Sequence, residues 1–113
     1  MDDPVDTMID RVRAEWHRGE PLYYTMQRVW TSTDVTDSER RALAFTGWQA
    51  VVDAGGPPQQ YPLPQSILDQ MGSGDYDDAV LSDSDVDALA VIGFFTVASE
   101  RLYTDGWTPG GVQ

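Results

Sequence analysis

The stretch that decides the fold is LSDSDVDALAVIGFFTVASERLY, residues 81–103, because it contains the longest apolar run in the chain. It begins with Ser82 and, three residues later, Asp85, a carboxylate variant of the capping box that starts a helix. Residues 88–95 are then apolar on every side of that helix, which predicts burial by several neighbours. A membrane span needs about 20 apolar residues. The sequence therefore predicts a core helix over 83–103 and no interaction with a membrane.

An earlier segment, residues 35–53, repeats this pattern when the chain is aligned with itself at a shift of 46 positions. Seven of the 19 positions aligned with residues 81–99 are identical, among them Gly47 and Gly93. A glycine inside a helix costs about 1 kcal/mol relative to alanine, so close packing must offset it. The pattern predicts a helix over 37–54 that crosses the core helix at the two glycines as a pseudo-repeat. The alternative is that the two segments are not a repeat, and that their sequences are similar because capped amphipathic helices have the same physical requirements.

Turn signals divide the rest of the chain. Gly19 followed by Pro21 separates two N-terminal helices, and the run Gly-Gly-Pro-Pro at residues 55–58 ends the third. We expect a single acidic all-α domain over residues 1–113, a compact bundle of four main helices plus one short helix. Its predicted segments are an N-terminal helical hairpin (1–34), the first repeat-like helix (35–56), a Pro/Gly-rich connection with a short helix (57–80), the central helix (81–106) and an extended C-terminal tail (107–113).

The charge balance is strongly acidic. Fifteen aspartates and four glutamates oppose seven arginines and no lysine, which gives a net charge of −12. Abundant aspartate and scarce lysine resemble the proteins of organisms that live in molar salt, where the Debye length is about 3 Å and self-repulsion is screened. We interpret the acidity as the salt adaptation of a halophile or its virus. The alternative is an acidic surface that binds a basic partner.

No motif in the sequence carries a known chemistry. The chain has no cysteine and one histidine, His17, so it lacks the ligand patterns of familiar zinc sites. The Asp-x-Asp-x-Asp motif at 83–87 resembles the start of a calcium loop. That loop requires glycine and glutamate where this chain has Ala88 and Phe94. We therefore expect a non-catalytic protein with no cofactor and no metal site.

These observations favour an assembly or interaction protein. We expect a homo-oligomer, or a ring within a larger structure, located in the cytoplasm or in a virion. No secretory signal is expected, since no basic segment precedes an apolar one at the N-terminus. Direct nucleic-acid binding is not expected, because it requires a basic surface.

Two functions follow from this interpretation. Small helical virion proteins such as head–tail connector subunits have this size and class, an analogy at the level of fold. The alternative is an acidic inhibitor that mimics nucleic acid and binds a basic DNA- or RNA-handling protein through the aspartates between Asp69 and Asp87. The predicted partner-binding residues are Trp107, Pro109 and Val112 of the tail and Asp75, Asp77 and Asp78 of the loop before the core helix.

Overall fold

The structure, a computed structural model, describes residues 4–17, 19–59 and 61–105. In these ranges the chain is helical and contains no strand, which confirms the predicted all-α class. The five α-helices described there, with a short 3₁₀ turn at Tyr76–Asp78, are α1 (Pro4–Glu15), α2 (Leu22–Ser32), α3 (Asp37–Ala54), α4 (Gln65–Ser73) and α5 (Asp83–Asp105).

The chain divides into two compact units. Among the described residues, those of 4–35 and 97–105 form the N-terminal unit, and those of 36–96 form the central unit. The N-terminal unit thus contains α1, α2 and the end of α5, whereas the central unit contains α3, α4 and the start of α5.

Two arginines connect α1 and α2 in the N-terminal unit. Arg11 on α1 donates a hydrogen bond of 2.6 Å to the Thr33 hydroxyl just after α2. Arg28 on α2 donates to the Glu15 carboxylate at the end of α1, at 3.4 Å. The same guanidinium binds both carboxylate oxygens of Glu20, at 3.1 and 3.3 Å. The partners on α2 move back along the chain as those on α1 move forward, from Arg11–Thr33 to Glu15–Arg28, so α1 and α2 form an antiparallel pair.

A stripe of apolar side chains on α1 contributes to the core of this unit. Its spacing of three and four residues is that of one helical face, as the sequence predicts. Among the described residues, the polar residue that is buried as a whole is Thr25, whose hydroxyl donates a hydrogen bond to the Glu20 carboxylate. The buried apolar residues of the N-terminal unit are Met8, Ile9, Val12, Met26, Val29, Ala98 and Leu102.

Acid is expected to destabilise the α1–α2 pair through Glu20. The Arg28 guanidinium, and after it the Thr25 hydroxyl, hold the pKa of the Glu20 carboxyl below its ordinary value. A lowered folded-state pKa contributes stability that is present above the unfolded pKa of about 4.3, and this stability is lost as pH falls through the lower folded-state pKa. Thermal melts followed by circular dichroism from neutral pH to about pH 3 should show this loss.

The variant Glu20→Gln isolates this contribution. It is expected to melt at a lower temperature at neutral pH and to lose less stability on acidification, because the titrating group is gone. Glu100→Gln changes an exposed carboxylate of α5 in the same way and should keep the acid dependence of the unchanged chain. An identical acid dependence in Glu20→Gln and the unchanged chain would contradict this role of Glu20.

In the central unit, the backbones of α3 and α5 approach closely at Gly47 and Gly93. A Cβ atom added to Gly47 would overlap the carbonyl oxygen of Leu89 and lie 3.0 Å from the Gly93 nitrogen. A Cβ added to Gly93 would overlap the carbonyl oxygen of Leu43 and lie 3.0 Å from the Gly47 nitrogen. Each glycine Cα hydrogen therefore faces a carbonyl of the opposite helix, the arrangement of Cα–H···O contacts between helices.

Both of these helices begin with a capping box. At α3, the Thr36 hydroxyl accepts from the Glu39 backbone N–H at 3.2 Å, and the Glu39 carboxylate accepts from the Thr36 N–H at 2.9 Å. At α5, Ser82 and Asp85 make the same two hydrogen bonds, at 3.2 and 3.1 Å. The predicted carboxylate variant is therefore confirmed, and the second aspartate of the calcium-like motif caps a helix.

The proline-rich connection between α3 and α4 takes part in the core of the central unit. Tyr61 and Leu63 are 6% and 8% exposed, whereas Pro62 and Pro64 are exposed to solvent. The Tyr61 ring packs edge-on against Phe95 of α5, with the ring centroids 5.3 Å apart. This alternation is the one expected for an extended chain lying on an apolar surface.

Candidate functional site

An open apolar groove lies between the end of α3 and α4 in the central unit. Its cavity volume of about 380 Å³ is near the lower end of the range for ligand pockets, roughly 300–1,000 Å³. We call it the α3–α4 groove, and the side chains and backbone that define it belong to Val51, Val52, Pro57, Leu68, Met71 and Gly72.

The groove exists because α3 ends in a Schellman turn. Gly55 has φ of 78°, in the left-handed region that favours glycine. Its N–H donates to the Val52 carbonyl at 3.3 Å, and the Gly56 N–H donates to the Val51 carbonyl at 3.0 Å. Pro57 follows at once and cannot continue the helix. The chain therefore turns away from α3, and residues of the turn line the groove.

Pairs of adjacent apolar residues supply the surface of the groove. Val51 is 3% exposed whereas Val52 is 47% exposed, and Ile67 is fully buried whereas Leu68 is partly exposed. Adjacent side chains on a helix point about 100° apart. When the first side chain of a pair points into the core, the second therefore points away from the centre of the core. The second member of each pair faces the groove. In the sequence, such a groove is indicated by two adjacent apolar residues at a place where an amphipathic helix has one apolar and one polar residue.

The groove is uncharged in a highly charged protein. None of the described residues that line it is ionisable, and it overlaps the longest uncharged segment of the sequence, residues 54–68. Burial of an apolar side chain in a surface of this kind would be favourable, because it removes apolar area from water.

The 3₁₀ turn before α5 is attached to α3 by aromatic contacts. The Tyr76 ring packs edge-on against Phe45 and Trp48, with centroids 5.5 Å apart in both pairs. Trp48 is buried, whereas Phe45 is 46% exposed. Tyr76 therefore fixes the turn, and the neighbouring aspartates remain at the surface: Asp75, Asp77 and Asp78.

Three of the six predicted partner-binding residues lie in the described part of the structure. The three loop aspartates are exposed, as a partner-binding role requires. The tail residues Trp107, Pro109 and Val112 lie outside the described residues. Sequence reasoning missed the α3–α4 groove, since it treated residues 57–80 as a connection with a short helix and predicted no surface between that helix and α3.

Within residues 4–17, 19–59 and 61–105, no group of three or more His, Cys, Asp or Glu side chains is placed to hold a metal ion. No helix in that part of the chain has the length and apolar character needed to cross a bilayer. Comparisons with known protein families, with curated proteins and with solved structures each gave no match.

Proposed function

We propose that this chain is a non-catalytic assembly protein that self-associates into a homo-oligomer, or a ring, within a larger structure. The observation that supports this proposal is the α3–α4 groove, an open apolar surface in a chain of net charge −12. Single exposed apolar residues are normal on a monomeric protein, and this groove brings several of them together at one place where a partner's apolar side chain could be buried. Its uncharged lining suits contact between two acidic copies, because it adds no like-charge repulsion.

The acidic composition supports a setting in molar salt, in a halophile or its virus. Repulsion between two copies of a −12 chain is screened when the Debye length falls to about 3 Å. Assembly should therefore require salt. Within this class we propose a small helical virion component such as a head–tail connector subunit, present in the virion or in the cytoplasm where it assembles.

We also propose that residues 35–53 and 81–99 are a pseudo-repeat within this protein. The reciprocal approach of Gly47 and Gly93, each facing a carbonyl of the other helix, supports the relation. So does the capping box at the start of each helix. In this arrangement the two segments serve as equivalent halves of one packed pair.

Size-exclusion chromatography with light scattering tests the assembly role. In molar salt we expect a particle whose mass is a multiple of the 12.5 kDa chain, and dissociation as the salt is diluted. A mass of 12.5 kDa at every salt and protein concentration would contradict self-association.

A second candidate function is the acidic mimic of nucleic acid. The exposed side chains of Asp75, Asp77 and Asp78 favour it, as does Asp83, whose side chain is 90% exposed. A chain that stays monomeric and displaces DNA from a basic DNA-binding protein would support this candidate over assembly.

A further inference from the structure

A segment that binds in the α3–α4 groove must be apolar and must be able to approach a strongly acidic protein. Its lining is apolar and uncharged, and it is open to solvent. A charged segment of a second copy would bring further negative charge against a chain of −12. The occupant is therefore expected to be an uncharged segment that carries a large apolar side chain.

The chain itself contains such a segment. Residues 106–113, GWTPGGVQ, include no ionisable side chain and contain one tryptophan, Trp107. These residues lie outside the described part of the structure. Tryptophan is the side chain most enriched at the energetic centres of protein interfaces. The eight residues can span at most about 28 Å when extended, and Pro109 favours an extended conformation at the residue before it.

We propose that residues 106–113 of one copy bind in the α3–α4 groove of a second copy, with Trp107 as the anchor. This inference rests on the proposed self-association and names the surfaces that carry it out. Because the contact joins two different surfaces, it generates a closed ring, an open filament, or a two-fold pair in which two copies exchange tails. Salt screens the remaining repulsion between the acidic surfaces around the contact.

Gly72 offers a way to block the groove without disturbing the fold. A Cβ added to it meets nothing within 4 Å, and its backbone is helical, so a side chain there enters open space. The variant Gly72→Glu places a charged chain at the groove wall. Ser73→Glu is the matched control, since it adds the same charge at the next residue of α4, which does not line the groove.

The first experiment measures the mass of each variant by light scattering in molar salt. Trp107→Ala and Gly72→Glu are expected to be monomers, whereas Trp107→Phe and Ser73→Glu should retain the assembly. Circular dichroism melts of the variants check that each one folds. If the unchanged chain assembles and both Trp107→Ala and Gly72→Glu assemble equally well, the tail-in-groove contact is wrong while the assembly role stands.

The second experiment measures binding directly with a fluorescein-labelled peptide of residues 106–113 and the full-length Trp107→Ala chain, whose own tail lacks the anchor. Fluorescence anisotropy should show saturable binding that is weakened at least about tenfold by Gly72→Glu, or by alanine in place of the peptide's tryptophan. Ser73→Glu should bind as tightly as its parent. If the peptide binds equally tightly to the parent, Gly72→Glu and Ser73→Glu chains, the α3–α4 groove is not its binding site. If the unchanged chain is monomeric although the peptide binds, docking between copies is overturned.

Discussion

Replacing Gly93 by alanine is expected to lower the melting temperature by about 10 °C. The new Cβ would overlap the Leu43 carbonyl oxygen and lie 2.9 Å from the Leu43 carbonyl carbon, and these are backbone atoms that cannot rotate away. Overpacking costs typically about 1–3 kcal/mol, and overlap with backbone atoms puts this case near the upper end. Alanine favours a helix by about 1 kcal/mol over glycine, so the net loss is about 2 kcal/mol. For a domain of this size, each 1 kcal/mol shifts the melting temperature by roughly 3–6 °C. Gly93→Leu should be more destabilising still.

Gly47→Ala is the reciprocal variant and is expected to have a similar effect, since its Cβ would overlap the Leu89 carbonyl oxygen. The double variant should lose less stability than the sum of the single ones, because the first substitution already separates the helices. Gly72→Ala is the matched control. It is also a helical glycine, but its Cβ meets nothing within 4 Å, so it should raise the melting temperature slightly. A neutral Gly93→Ala would show that α3 and α5 do not need glycine at their contact.

Lowering the salt concentration is expected to have the other large effect on stability. Between 1 M and 0.01 M salt the Debye length grows from about 3 Å to about 30 Å, which is comparable to the diameter of a small domain. The acidic side chains, which give the chain its net charge of −12, then repel one another across the whole chain. The exposed ion pairs strengthen in low salt, but each is worth only about 0–1 kcal/mol. The melting temperature should therefore fall steeply, and the chain should unfold at the lowest salt.

A triple variant tests whether the repulsion of the acidic side chains causes this dependence. Changing Asp75, Asp77 and Asp78 to asparagine alters three exposed side chains and takes the net charge from −12 to −9, since three negative charges are removed. Its melting temperature should depend less on salt than that of the unchanged chain. The melts are compared at two protein concentrations, which separates self-association from folding. A melting temperature that is constant across the salt series would show that the acidity is not a salt adaptation.

The groove-blocking variant at Gly72 tests association between copies, whereas the variants at Gly47 and Gly93 test the packing of helices within one chain. Gly93 lies inside the central unit, where any side chain meets backbone, so its substitution should change stability. Gly72 lies at the surface, where a side chain meets open space, so its substitution by glutamate should change association while the fold is kept. Two glycines in helices of the same unit thus have opposite expected outcomes, and the surroundings of the missing Cβ decide between them.

The boundaries of the central helices could be predicted from the sequence because their signals are local. A capping box joins residues three apart, as at Thr36 and Glu39, and the Gly-Gly-Pro-Pro run ends a helix through hydrogen bonds within five residues. The predicted helix over 37–54 matches α3, and α5 extends two residues beyond the predicted 103. The net charge, which sets the salt prediction, needs no structure at all.

The candidate site could not be predicted in the same way. Val51 and Val52 are identical in chemistry and both line the groove, and only the packing of α3 against its neighbours decides that the first is buried and the second is half-exposed. Likewise, the burial of Tyr61 depends on the ring of Phe95, a residue far away in the sequence. The sequence by itself determined where the central helices start and how acidic the surface is, because those properties depend on neighbouring residues or on composition. The tertiary structure decided which apolar side chains are left uncovered, because burial depends on partners that are distant along the chain.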